Sequence, residues 1–149
     1  MLTKFKLFEA KQVGLLYHWT SLRSLINILE NDEMISRQLK CLRNHTEDTT
    51  AWGDYISFSR NKKLNYHKKS VLIIFDGNKL SNKYKFEHHL FMEDPQFKEE
   101  AEERIKISKI TNIKKYILGI QIKKWELDLN PEIDYFQSLI PNVKIEIIE

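Results

Sequence analysis

Val13-Gly-Leu-Leu-Tyr-His-Trp-Thr20, followed by Ser-Leu-Arg-Ser-Leu-Ile-Asn-Ile-Leu29, is the stretch from which the fold can be read. Val13–Tyr17 is a short apolar run of the kind that forms a buried strand. Thr20 or Ser21 can cap a helix over Leu22–Glu30, in which Leu22, Leu25, Ile26 and Leu29 share one face. Asn31-Asp32 then breaks the helix. Tyr17, His18, Trp19 and Thr20 therefore sit where a strand gives way to a helix, a common location for ligand-binding side chains. Read alone, the segment equally suits a histidine packed at a strand terminus.

Outward from this unit, helices and strands mix without regular alternation. Met34–Leu39 reads as extended and Lys40–Asp54 mostly as loop. Tyr55-Ile-Ser-Phe-Ser59 alternates as a strand with Ser57 and Ser59 on one face. Arg60–Lys69 is basic and has room for a helical turn. Val71-Leu-Ile-Ile-Phe75 is β-branched and almost wholly apolar, the pattern of an interior strand. Asp76-Gly77-Asn78 marks a turn before a helical turn at Lys79–Asn82. Asp94-Pro95 opens an acidic segment through Glu103 that reads as helix, with Arg104–Ile107 extended. Ile110–Ile113 fits either state, Tyr116–Ile122 a strand, Asp134–Leu139 a helix and Val143–Ile148 a closing strand. This order predicts an α+β fold and not a doubly wound sheet.

The chain has 149 residues, 42% hydrophobic and 30% charged, with 4 Gly and 3 Pro. That supports one globular domain over residues 1–149 and excludes disordered or collagen-like readings. Cys41 is the single cysteine, which excludes an internal disulfide and multi-cysteine zinc sites and fits a reducing cytoplasm. No apolar run nears the ~18–20 residues needed to cross a bilayer, so no membrane association is expected. His18, His45, His67, His88 and His89 show no metal-ligand spacing, and no metal is expected. Gly14, Gly53, Gly77 and Gly119 are too scattered for a phosphate-binding loop. The net charge of +3 permits a nucleic-acid partner without requiring one. It conceals a basic run at Arg60–Lys69 and an acidic one at Glu93–Glu103.

The order strand-His-x-Thr-helix, then strand-Ser-Phe-Ser with Asn65-Tyr66, then Glu before a late strand, resembles the ADP-ribosyltransferase superfamily. Leu16-Tyr-His-Trp-Thr20 is similar to the Tyr-His-x-Thr segment of its DNA-modifying bacterial toxins. Ile56-Ser-Phe-Ser59 with Asn65-Tyr66 resembles the Ile-Tyr-Phe-Ala and later Asn-Tyr of the poly(ADP-ribose) polymerases. Glu100-Ala-Glu102 resembles the Gln-Ala-Glu segment that carries the toxins' catalytic glutamate. The pattern spans about Leu16 to Ile122 and is also similar to small phage proteins, which implies a phage origin and a role in phage–host conflict. It implies a split antiparallel β-sheet core with short flanking helices.

The resemblance further implies that NAD is the substrate. Tyr17, His18, Trp19 and Thr20 would bind it, His18 through the ribose and the Trp19 backbone through the nicotinamide carboxamide. Ser57 or Ser59 would support the nicotinamide site, Tyr66 would stack on the ring, and Arg60 would contribute to NAD binding. Glu102 would be the catalytic carboxylate beside His18, with Glu103 its rival, because adjacent strand residues face opposite ways. Two positions depart from the family: Ser57 replaces the polymerase tyrosine and Trp19 a glycine. The implied function is transfer of ADP-ribose to a macromolecular acceptor, a nucleic acid or a host protein, by a monomer. The alternative is a binding or inhibitory module that keeps the fold without turnover. A nuclease or plain DNA-binding protein finds no carboxylate cluster or helix-turn-helix pattern to support it.

Overall fold

The structure, a computed structural model, describes residues 14–45, 54–63, 68–89, 102–129 and 132–149. Strand β1 (Leu15–Thr20) leads into helix α1 (Leu22–Asn31), as the apolar run and the capping residues predict. Ser21 is the cap: its Oγ accepts from the Ser24 amide at 3.2 Å. Leu22, Leu25, Ile28 and Leu29 are the buried face. Asp32 ends the helix in the left-handed region at φ 51°, a conformation Asp tolerates better than most residues. Its carboxylate then accepts from the Lys114 amide at 2.9 Å, tying the helix end to the 3₁₀ turn Ile113–Tyr116.

Next come β2 (Glu33–Ile35), α2 (Arg37–Arg43), β3 (Ile56–Ser59), β4 (Val71–Asp76), α3 (Gly77–Ser81), β5 (Glu87–His89), β6 (Glu102–Ile105) and β7 (Lys109–Thr111). The chain closes with β8 (Ile117–Lys123), α4 (Lys124–Leu129), α5 (Ile133–Leu139) and β9 (Lys144–Ile148). Seven strands form one sheet in the order β5-β6-β3-β1-β4-β8-β9, and β2 pairs with β7 as a separate ribbon. Every pairing is antiparallel except β8–β9, which is parallel. The fold is α+β, with short helices flanking a mixed, mostly antiparallel sheet.

β4 is fully interior: Val71, Leu72, Ile73 and Phe75 are all buried. Burial from β1, β3, β4, β8 and α1 merges into one core cluster. Phe58 sits at a junction in it, edge-on to Phe75 at 5.2 Å and to Phe86 at 6.1 Å between ring centroids.

The structure corrects two local expectations and adds one helix. Met34–Leu39 is not extended throughout, because Ser36 caps α2 by accepting from the Leu39 amide at 3.1 Å. α2 buries no residue, so no apolar periodicity announced it. The same holds for α4, which the sequence reading lacked. Glu102 and Glu103 do not end a helix but begin β6, held between β3 and β5. The closing strand is present as expected, at Lys144–Ile148, and lies parallel to β8. Tyr66 and residues 90–101, with most of the acidic segment, lie outside the described residues.

Truncating Phe58 to Ala removes a fully buried ring packed edge-on to Phe75 and Phe86, and the loss is expected to lower unfolding free energy by about 3–5 kcal/mol. Urea denaturation monitored by circular dichroism measures it. A change below about 1 kcal/mol would contradict the packing described.

Candidate active site

The site forms where the large sheet comes apart. β1 and β3 are in register only at Tyr17 and Ser59, and beyond that pair they diverge. His18 enters the gap: its Nδ1 lies 3.1 Å from the Ser57 carbonyl oxygen. A carbonyl can only accept, so Nδ1 carries the proton and Nε2 keeps its lone pair. The ring also stands edge-on to Phe58, 6.3 Å between centroids.

Alternation assigns the faces. His18 falls on the side of the core residues Ile56 and Phe58, whereas Ser57 and Ser59 face the other way. The β3–β6 register sets Ser57 opposite Arg104 and Ser59 opposite Glu102, so all four share that second face. The gap brings the two faces to one cavity of about 890 Å³, lined by His18, Ser57 and Glu102 among others.

Glu102 is held tightly. Its Oε1 accepts from Ser57 Oγ at 2.6 Å and from Arg104 Nε at 2.9 Å, and its Oε2 accepts from Arg104 Nη2 at 3.2 Å. The guanidinium of Arg104 lies over the Tyr55 ring at 4.1 Å. Glu102, 6% exposed, and Arg104, 9% exposed, thus form a buried pair whose Glu102 member lines the cavity. Glu103 faces the opposite side of β6, opposite Phe58, and pairs with Arg60 Nε at 3.2 Å.

His18, Trp19, Thr20, Ser57 and Glu102 all line the cavity. Tyr17, Ser59 and Arg60 are not part of that lining. Ser59 instead organises the turn after β3, its Oγ accepting from the Asn61 amide at 3.0 Å. Arg60 is engaged with Glu103. The Trp19 indole donates to the Lys62 carbonyl at 2.9 Å, with Lys123 Nζ 5.6 Å from its ring. Three cations of α2, Arg37, Lys40 and Arg43, together with Lys69, line the cavity as well. Lys40 reaches Ser24 Oγ at 3.2 Å, and Arg43 reaches Glu33 at 2.7 Å.

Sequence reasoning missed Arg104 and Tyr55 as site residues. Their signal was strand spacing: Glu102 and Arg104 are two residues apart, hence on one face, once both belong to a strand.

His18 is half-buried, and its loss of hydration lowers its pKa from 6.5 to about 4, with the nearby Lys40 charge adding to the effect. The hydrogen bond to Ser57 opposes the shift without reversing it. His18 is therefore neutral at physiological pH. Between pH 6.5 and 4 the unfolded chain binds more protons here than the folded one, so stability falls as pH is lowered through that window. An NMR titration of the His18 imidazole is expected to show a midpoint near 4 and the Nδ1–H tautomer at pH 7. A midpoint at the unperturbed value would contradict the burial that shapes the site.

No protein-family model matches the chain, and no curated protein matches it in sequence. Solved structures do match. Thermus sp. 2.9 DarT in complex with carba-NAD+ superposes with a TM-score of 0.57 at 12% identity, covering 93% of this chain and 96% of that one. The same protein in complex with NAD+ gives 0.56 at 10% identity, covering 92% and 96%. With its mostly antiparallel sheet and short flanking helices, the chain shares its fold with DarT.

Proposed function

We propose that the protein is an NAD-dependent ADP-ribosyltransferase acting on a macromolecular acceptor. The observation that carries this reading is the polarity of the cavity. A fixed carboxylate, Glu102, stands with neutral His18 at the gap in the sheet, and Arg37, Lys40, Arg43 and Lys69 supply positive charge in the same cavity. NAD has matching polarity: a cationic nicotinamide ring joined through a ribose to an anionic pyrophosphate. The fold shared with NAD-bound structures of DarT supports the same choice.

The chemistry needs little beyond what these residues offer. Nicotinamide leaves as a neutral molecule from a positively charged ring, so no general acid has to protonate it. This differs from ordinary glycoside hydrolysis, where a carboxylic acid protonates the departing oxygen. The barrier lies in the oxocarbenium-like transition state, which a carboxylate stabilises by Coulombic attraction and by a hydrogen bond from a ribose hydroxyl. Glu102 is the carboxylate for this task. Among the described residues, three donor groups occupy three of its roughly four acceptor positions, with one on Oε2 remaining for a ribose hydroxyl.

His18 offers Nε2 as an acceptor to a second ribose hydroxyl, since Nδ1 is committed to Ser57. The Trp19 backbone lies beyond the last β1–β3 pair and serves as the carboxamide clamp, with Thr20 beside it. The indole's bond to Lys62 holds the bulky ring by its edge, so Trp19 can replace a glycine if only its backbone contacts NAD. Ser57 supports the site through Glu102 instead of as a stacking partner. Tyr66 is the proposed stacking residue, and Arg60 and Tyr17 act from outside the cavity lining.

A nucleic acid is the favoured acceptor. Trp19, Lys69 and Lys123 place an aromatic ring and cations at or beside the cavity, a combination suited to stacking a base and gripping a phosphate. A phage-encoded protein acting in phage–host conflict fits such chemistry.

Nicotinamide release from NAD, with intact-mass detection of modified oligonucleotides and lysate proteins, tests the reading. Glu102→Gln is expected to lower turnover on the order of 10²–10³-fold while remaining folded by circular dichroism, with a lower urea midpoint because buried Arg104 loses its charged partner. Glu103→Gln, altered on the opposite face, is expected to stay near the wild-type rate. Equal turnover by wild type and Glu102→Gln would remove Glu102 as the catalyst. NAD binding without release or modification would favour a binding module on the same fold.

A further inference from the structure

We propose that Arg104 is the positioning residue of this site: its guanidinium, backed by the Tyr55 ring, sets the plane in which the Glu102 carboxylate meets the ribose. The inference rests on the transferase reading above and extends it to a residue that never touches the reacting atoms.

The geometry comes from one strand. Glu102 and Arg104 are two residues apart on β6, so their side chains rise from the same face. Arg104 Nε and Nη2 grip separate oxygens of Glu102, at 2.9 and 3.2 Å. Such a fork fixes the carboxylate plane as well as its position, which a point charge cannot do. Ser57 Oγ closes the third side at 2.6 Å. With Ser57 alone, the carboxylate could still turn about its terminal torsion, which has broad and shallow preferences. Tyr55, 4.1 Å beneath the guanidinium centre, limits the movement of the fork itself.

The arrangement has an electrostatic cost. A cation beside the carboxylate offsets part of the negative charge that would stabilise an oxocarbenium. It is tolerable because a buried carboxylate without a partner would be costly to keep ionised. The site gives up some charge and gains a preorganised acceptor whose remaining Oε2 position points in one direction. Glu103 supplies an internal contrast. It has its own arginine, Arg60, on the opposite face, yet that pair is outside the cavity lining and so has no carboxylate to aim at a ligand.

The distinguishing comparison is Arg104→Lys, which keeps the charge and loses the fork. Its kcat for nicotinamide release is expected to fall about 10²-fold, the cost of a misplacement near one ångström, while KM for NAD holds. Added ethylguanidinium is expected to restore part of the kcat lost in Arg104→Ala and none of that lost in Glu102→Gln. Unchanged kcat in Arg104→Lys would overturn the proposal. So would a rise in KM at constant kcat, which would make Arg104 a substrate-binding group. Should Arg104→Ala fail to fold, Arg104→Lys carries the comparison alone. Crystal structures of wild type and Arg104→Lys supply a readout independent of turnover. The Glu102 carboxylate is expected to rotate out of its wild-type plane in Arg104→Lys, and an unmoved carboxylate would overturn the proposal. If wild type releases no nicotinamide, the transferase reading fails, and these two structures still decide whether Arg104 sets the carboxylate.

Discussion

The bond from His18 Nδ1–H to the Ser57 carbonyl, 3.1 Å long, spans the place where β1 and β3 stop pairing. An interrupted ladder leaves backbone groups that must find partners or water. Here a side chain takes over one of those positions, and the sheet can open without leaving the Ser57 carbonyl unsatisfied. The same bond dictates the imidazole tautomer, turns Nε2 into an acceptor and keeps the ring close to the gap. Cavity and tautomer thus share one cause, whereas the neutral charge state comes from the ring's loss of hydration, which the same bond opposes. Continuous pairing of β1 with β3 would close the gap at which Glu102 and His18, from opposite faces of the sheet, line one cavity.

A second constraint is charge balance within β6. Its four residues are all buried, and three of them are charged. Such a strand is stable only if each charge is answered locally. Glu102 is answered by Arg104 on one face, and Glu103 by Arg60 on the other. Replacement of these pairs by apolar residues would serve packing equally well. The Glu102–Arg104 pair also keeps a carboxylate at the cavity, which an apolar pair could not do.

The parts of this arrangement legible in the sequence are those with a periodic or capping signal. The β1–α1 unit, the alternation of Ser57 and Ser59 and the interior strand at Val71–Phe75 all follow from apolar spacing. The helix α2 carried no such signal, because its seven residues bury nothing and its cations line the cavity instead of the core. The start of β6 was hidden for the opposite reason: a run of glutamates resembles a solvated helix until strands on both sides are known to cover it. Choosing between Glu102 and Glu103 required the β3–β6 register, a long-range pairing that no local spacing contains. Arg104 was obscured by the same misreading, since its kinship with Glu102 exists only in extended backbone.

The most direct measurement is a crystal structure of the protein with carba-NAD+. The nicotinamide ribose should lie in the gap between β1 and β3, with one hydroxyl within about 3 Å of Glu102 Oε2 and another equally near His18 Nε2. The pyrophosphate should turn toward Arg37, Lys40 and Arg43. A dinucleotide bound on the Glu103 face, or one whose ribose reaches neither Glu102 nor His18, would contradict this assignment of the site.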